Sequence, residues 1–148
     1  MGSIITAIWS TIIVSMLTID DVRTNYPSMV NDKELCQKSI TYLKTTANNS
    51  ALHLGYLGGL ETIWANHVFS PIAKLKTFSK GKDNIEKAIK MAPTNAELRF
   101  IRLSIQQNIP SFLGYNQHMK EDIEFLKTHR SAIESKVIQE YLDDLLKK

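Results

Sequence analysis

Residues 51–66, ALHLGYLGGLETIWAN, form the most apolar internal stretch of the chain and carry three glycines, Gly55, Gly58 and Gly59. Leu54, Leu57, Leu60/Glu61 and Trp64 recur at helical spacing. In an exposed helix each glycine costs about 1 kcal/mol relative to alanine. A missing Cβ offsets that cost where it lets a neighbouring helix come close. The pattern therefore predicts a helix at the centre of the fold. A helix broken at a flexible Gly58-Gly59 hinge is the alternative.

The rest of the chain is consistent with a helical surround. Its 148 residues suit one domain, and six Gly and four Pro are too few for the many turns of an all-β protein. Val22, Tyr26 and Met29/Val30 keep helical spacing around Pro27, which predicts a short or kinked helix. Asn31-Asp32-Lys33-Glu34, Thr94-Asn95-Ala96-Glu97 and Ser131-Ala132-Ile133-Glu134 read as capping boxes, each opening a helix. The first of these helices carries Leu35/Cys36, Ser39/Ile40 and Leu43. Ser70-Pro71 is a further helix start, and Pro93 a stop. Between them Ile72, Leu75, Phe78, Ile85, Ala88 and Ile89 mark one apolar stripe, interrupted by Gly81. Leu98, Ile101 and Ile105 mark the next helix, which Asn108-Ile109-Pro110 ends. Phe112 and Leu113 are expected to tuck inward from the following turn. Asn116 is expected to cap a helix with Met119, Ile123 and Leu126, and Ile133, Val137/Ile138, Tyr141/Leu142 and Leu145 form the last stripe. The fold class expected is all-α.

Ile4 to Ile19 is apolar, and no charged side chain precedes Asp20. A spanning helix needs about 20 apolar residues, so the segment is short for a membrane anchor and suits the core of an export signal. The expectation is a signal or anchor segment over residues 1–19 and a single helical domain over 20–148. The protein is then exported, with the periplasm as its compartment; membrane attachment through residues 4–19 and a first core helix are the alternatives.

Eighteen Lys+Arg against 15 Asp+Glu give a net charge of +3, and only four of the cations are Arg. A surplus made of lysine points away from nucleic acid. Residues 74–90 hold six lysines against Asp83 and Glu86. That run reads either as a solvated face or as an attraction for an anionic partner or membrane surface.

The segment from Asn84 to Leu98 resembles the end of one tetratricopeptide repeat and the start of another. Ile85, Ala88 and Pro93 match the family's aromatic or aliphatic residue, its alanine and its proline. Leu54-Gly55 matches the earlier Leu-Gly pair, but from there to Pro93 the chain is about fourteen residues longer than a 34-residue unit. The resemblance implies antiparallel helical hairpins stacked as a short array, an irregular bundle being the alternative. It also implies a role in protein or peptide interaction. Residues 51–130, including NAELRFIRLSIQQNIPSFLGY, are also similar to exported all-helical bacterial proteins with no assigned activity.

The sequence names no reaction. Its one cysteine, Cys36, excludes an internal disulfide and a multi-cysteine zinc site. His53, His67, His118 and His129 lack metal-ligand spacing, and phosphate-binding glycine loops and nucleophile elbows are absent. No metal, cofactor or catalytic residue is therefore expected. One polar constellation stands out. Glu97, Arg99 and Arg102 lie within six residues, and Tyr115 and His118 follow across a short connection. Arg99 and Arg102 are i, i+3 neighbours on one helix face. This group reads either as an anion or peptide-carboxylate clamp or as an ion-pair network between packed helices, with Glu97 completing a cap. Two function classes remain. One is a non-enzymatic helical scaffold for a protein or peptide partner. The other is a small-molecule or anion-binding protein, or an enzyme of unrecognised type, using Arg99 and Arg102.

Overall fold

A helix that is apolar on every side must be covered on every side. Helix α3 (Ala51–Trp64) meets that condition: every residue from Leu54 to Ile63 is buried. The computed structural model describes residues 16–148. Around α3 stand α1 (Ile19–Asn25), α2 (Lys33–Thr46), α4 (Pro71–Met91), α5 (Ala96–Asn108), α6 (Met119–His129) and α7 (Lys136–Leu146). Single 3-10 turns join several of them, and no strand occurs among the described residues. The protein is all-helical.

The most extensive contact is between α3 and α4. The two run antiparallel: Gly55 faces Ala88 and Gly58 faces Gly81. A Cβ placed on Gly58 would lie 2.5 Å from the Gly81 carbonyl oxygen and 2.7 Å from the Ile85 amide nitrogen. A Cβ on Gly81 would lie 2.6 Å from the Gly58 carbonyl oxygen. Backbone meets backbone there, so glycine is required for close approach rather than for flexibility. The unbroken α3 also settles the hinge alternative in favour of a continuous helix. Glu61 on the same helix is buried, accepts a 2.7 Å bond from the Asn84 amide and lies 3.3 Å from Lys80.

The other helices complete the core. Tyr26, just beyond α1, packs edge-on against Tyr56 of α3 and Phe100 of α5. Its hydroxyl pairs with the Ser104 hydroxyl at 3.0 Å. Cys36 on α2 is fully buried beside the Leu60 carbonyl, and burial pushes its thiol up to about 12. The export or anchor segment expected over residues 1–19 falls mostly on residues 1–15, outside the described residues. Leu17 and Ile19 pack against the core. Among the described residues no helix is long and apolar enough to cross a membrane.

Several local expectations are corrected. Asp32, not Asn31, caps α2, and its carboxylate accepts from the Leu35 amide. Asn95 caps α5, which turns Glu97 away from the cap and into the interior. The third capping box is displaced: Arg130–Ala132 forms a 3-10 turn and Ser135 caps α7. His118 rather than Asn116 precedes α6, with no side-chain cap bond. Ile72 and Leu75 do not join the core stripe of α4; they are 80% and 56% exposed. Phe112 does not tuck inward and is 82% exposed. The buried face of α4 is Phe78, Gly81, Ile85, Ala88 and Ile89.

Gly58→Ala is expected to lower unfolding stability by about 1–3 kcal/mol in denaturant titration, because rigid backbone blocks the added methyl and outweighs alanine's better helix propensity. Stability equal to the parent protein would contradict the close approach. The Cys36 thiol should resist a thiol reagent at neutral pH and react fully once the chain is unfolded. Rapid labelling of the folded protein would contradict the burial described.

Candidate functional site

The five polar residues singled out in the sequence divide between two nodes, the first buried and the second buried at Arg102 and Asp122 but open to solvent at His118 and Glu121. Glu97 belongs to the first. Arg23 of α1 donates to both of its carboxylate oxygens, through Nε at 2.7 Å and Nη2 at 2.8 Å. The Tyr56 hydroxyl of α3 donates to the same carboxylate. Burial and the adjacent Glu97 charge hold the Tyr56 phenol well above its usual range. This node ties α1, α3 and α5 together.

Arg99, Arg102, Tyr115 and His118 belong to the second node, on a different side of α5. Arg102 is 2% exposed and Asp122 of α6 is fully buried. Arg102 donates to both Asp122 oxygens, through Nε and Nη2, each at 2.7 Å. Its Nη1 reaches Glu86 of α4 at 3.0 Å. Burial alone would lower the guanidinium's proton affinity; Asp122 and Glu86 together outweigh it, and the group stays charged. Tyr115 donates to the other Glu86 oxygen at 2.7 Å. Arg99 bonds Glu121 at 2.7 Å and Asp122 at 3.1 Å. Gln106 donates to Asp122 at 3.0 Å and accepts from the His118 backbone amide at 3.1 Å. The His118 ring lies 3.2 Å from Glu121, and with Arg99 it holds the Glu121 carboxyl below the usual range.

The structure thus brings Arg99, Arg102, Tyr115 and His118 together and separates Glu97 from them. Both arginines are engaged by carboxylates of the chain itself. Arg23, Tyr56, Glu86, Gln106, Glu121 and Asp122 complete the nodes; of these only Tyr56 stood out in the sequence, as an aromatic able either to line a groove with the arginines or to pack in the core, and it is fully buried. Among the others only Glu121-Asp122, two acids opening a helix, offered a signal. Among the described residues no group of three His, Cys, Asp or Glu side chains is arranged to hold a metal ion.

The open surface lies elsewhere. Phe69, just before α4, is 97% exposed, and the first turns of α4 carry the exposed Ile72 and Leu75. Phe112 protrudes from the turn after α5. Between these segments lies a groove of about 400 Å³, walled by Leu75 and Phe78 on one side and Pro110, Phe112 and Leu113 on the other. It adjoins a second depression of about 300 Å³ that extends towards Val30 and Tyr141. Asn66 and Asn108 line both. The ends of α3 and α5 position this surface, since each helix stops there and leaves a 3-10 turn or a proline at the rim.

Comparison with protein-family models, curated proteins and solved structures finds no match to this chain.

Arg102→Met is expected to cost about 3–5 kcal/mol in urea unfolding, because Asp122 is left buried with its main partner removed. Pairing it with Asp122→Leu should recover part of that loss. A single variant within about 1 kcal/mol of the parent would contradict a structural role for the node.

Proposed function

We propose that the protein is a non-enzymatic helical scaffold that docks a protein or peptide segment in the groove between Leu75 and Phe112. The observation that carries this reading is the placement of apolar surface. Of the seven large apolar side chains exposed among the described residues, Leu75 and Phe112 line this groove, Val30 lines the depression beside it, and Phe69 and Ile72 flank the start of the helix that forms one wall. Exposed apolar clusters of this kind mark interaction sites.

The buried nodes support the reading from the other side. The arginines that would clamp an anion already hold Asp122, Glu86 and Glu121, and the lone thiol is buried with its proton held on. The resemblance to tetratricopeptide repeats fits the same role. On that reading α3 and α4 are one hairpin of a short array, and the extra length before Pro93 supplies the α4 turns that carry Ile72 and Leu75. Export to the periplasm, with residues 1–19 as the export segment or a membrane anchor, is part of the same proposal.

Replacing Phe112 with a photo-cross-linking aromatic amino acid tests the docking face in the native cell. A discrete protein adduct is expected from position 112, and none from an equivalent substitution at Lys44 on α2. Equal adducts from both positions, or none from 112, would contradict the proposal.

A further inference from the structure

The groove has an electrostatic sign as well as an apolar rim. No Asp or Glu lines either of its two depressions, whereas Lys74 lines the larger one. Lys74 is exposed and enters no ion pair among the described residues. Lys148 adds a second ammonium at the same wall, 3.4 Å from the Asn108 side-chain oxygen. An apolar trough lined by a lysine and by no Asp or Glu side chain attracts a ligand with greasy side chains and a carboxylate.

The shape narrows the class further. The two depressions share Asn66 and Asn108 in their walls; Asn66 is exposed, and the Asn108 amide donates one N–H to the Ser104 carbonyl at 2.7 Å, which leaves it a second. Apolar subsites flanking a pair of amides suit a polypeptide, which offers side chains to the subsites and backbone N–H and C=O groups to the amides. A bilayer surface engages protruding side chains and lysines but has no use for a concave, amide-bearing middle. We infer that the groove recognises an acidic amphipathic segment of another protein, with apolar anchors in the two depressions and an Asp or Glu side chain on Lys74. This rests on the docking reading proposed above and adds the partner's charge to it.

A random peptide library displayed on phage and panned against the full chain is the probe. The selected peptides should combine spaced apolar residues with Asp or Glu. Lys74→Glu should weaken their binding about tenfold, while Lys74→Arg keeps it. Phe112→Ser should abolish it, and circular dichroism of each variant verifies that the fold is intact. Peptides that require Phe112 but are not acidic, or that tolerate Lys74→Glu, would overturn the charge inference and leave the docking reading standing. Selected peptides indifferent to Phe112→Ser would overturn both. So would phosphatidylglycerol vesicles that sediment the parent chain but not the Phe112→Ser variant, since lipid would then be the occupant.

Discussion

Close packing of α3 against α4 is the constraint on which the other contacts depend. Two helices that touch backbone to backbone need glycine on both sides, and Gly58 and Gly81 supply it. Once α4 is seated that closely, its buried face is defined by Phe78, Gly81, Ile85, Ala88 and Ile89. Glu86 then projects towards α5 and the connection before α6, where it meets Arg102 and Tyr115. The first turns of α4 run alongside the end of α3, and Pro71, Lys74, Leu75 and Ala65 line the groove there. Site and scaffold therefore share one cause.

Charge plays a different part. The two buried nodes bring distant segments together through bidentate arginine–carboxylate pairs, whose planar forks demand one geometry. Arg23 and Glu97 join α1 to α5, and Arg102 and Asp122 join α5 to α6. Such pairs do little for stability compared with apolar packing but penalise any arrangement that leaves one partner alone. In this chain they select which helix faces which.

Much of the fold was legible in the residues. The glycine-bearing helix announced itself by hydropathy, and Ser70-Pro71, Pro93 and Pro110 marked real ends because proline's missing donor acts locally. The exposed edge was misread for an identifiable reason. Ile72 lies six residues before Phe78, and at about 100° per residue the two diverge by about 120° around the helix. Counting apolar residues along α4 joined them into one stripe that the helix itself does not contain. The capping boxes failed similarly: several adjacent Asn, Asp and Ser residues were each competent to cap, and tertiary contacts chose among them. Arg99 and Arg102 were visible as a pair. Their pairing with Asp122 and Glu86 was not, because only the folded chain brings those carboxylates within reach. The exposed Phe112 had no sequence signal at all, being an aromatic in a short turn.

Native-state amide hydrogen exchange tests the central claim most directly. The Leu57–Ile63 amides of α3 and those of α4 from Gly81 to Ile89 should form one slowest-exchanging set that opens only on global unfolding. The amides at Lys74 and Leu75, at the edge of the groove, should exchange orders of magnitude faster. Exchange through α3 as fast as at that edge would show that the glycine contact does not hold the molecule together.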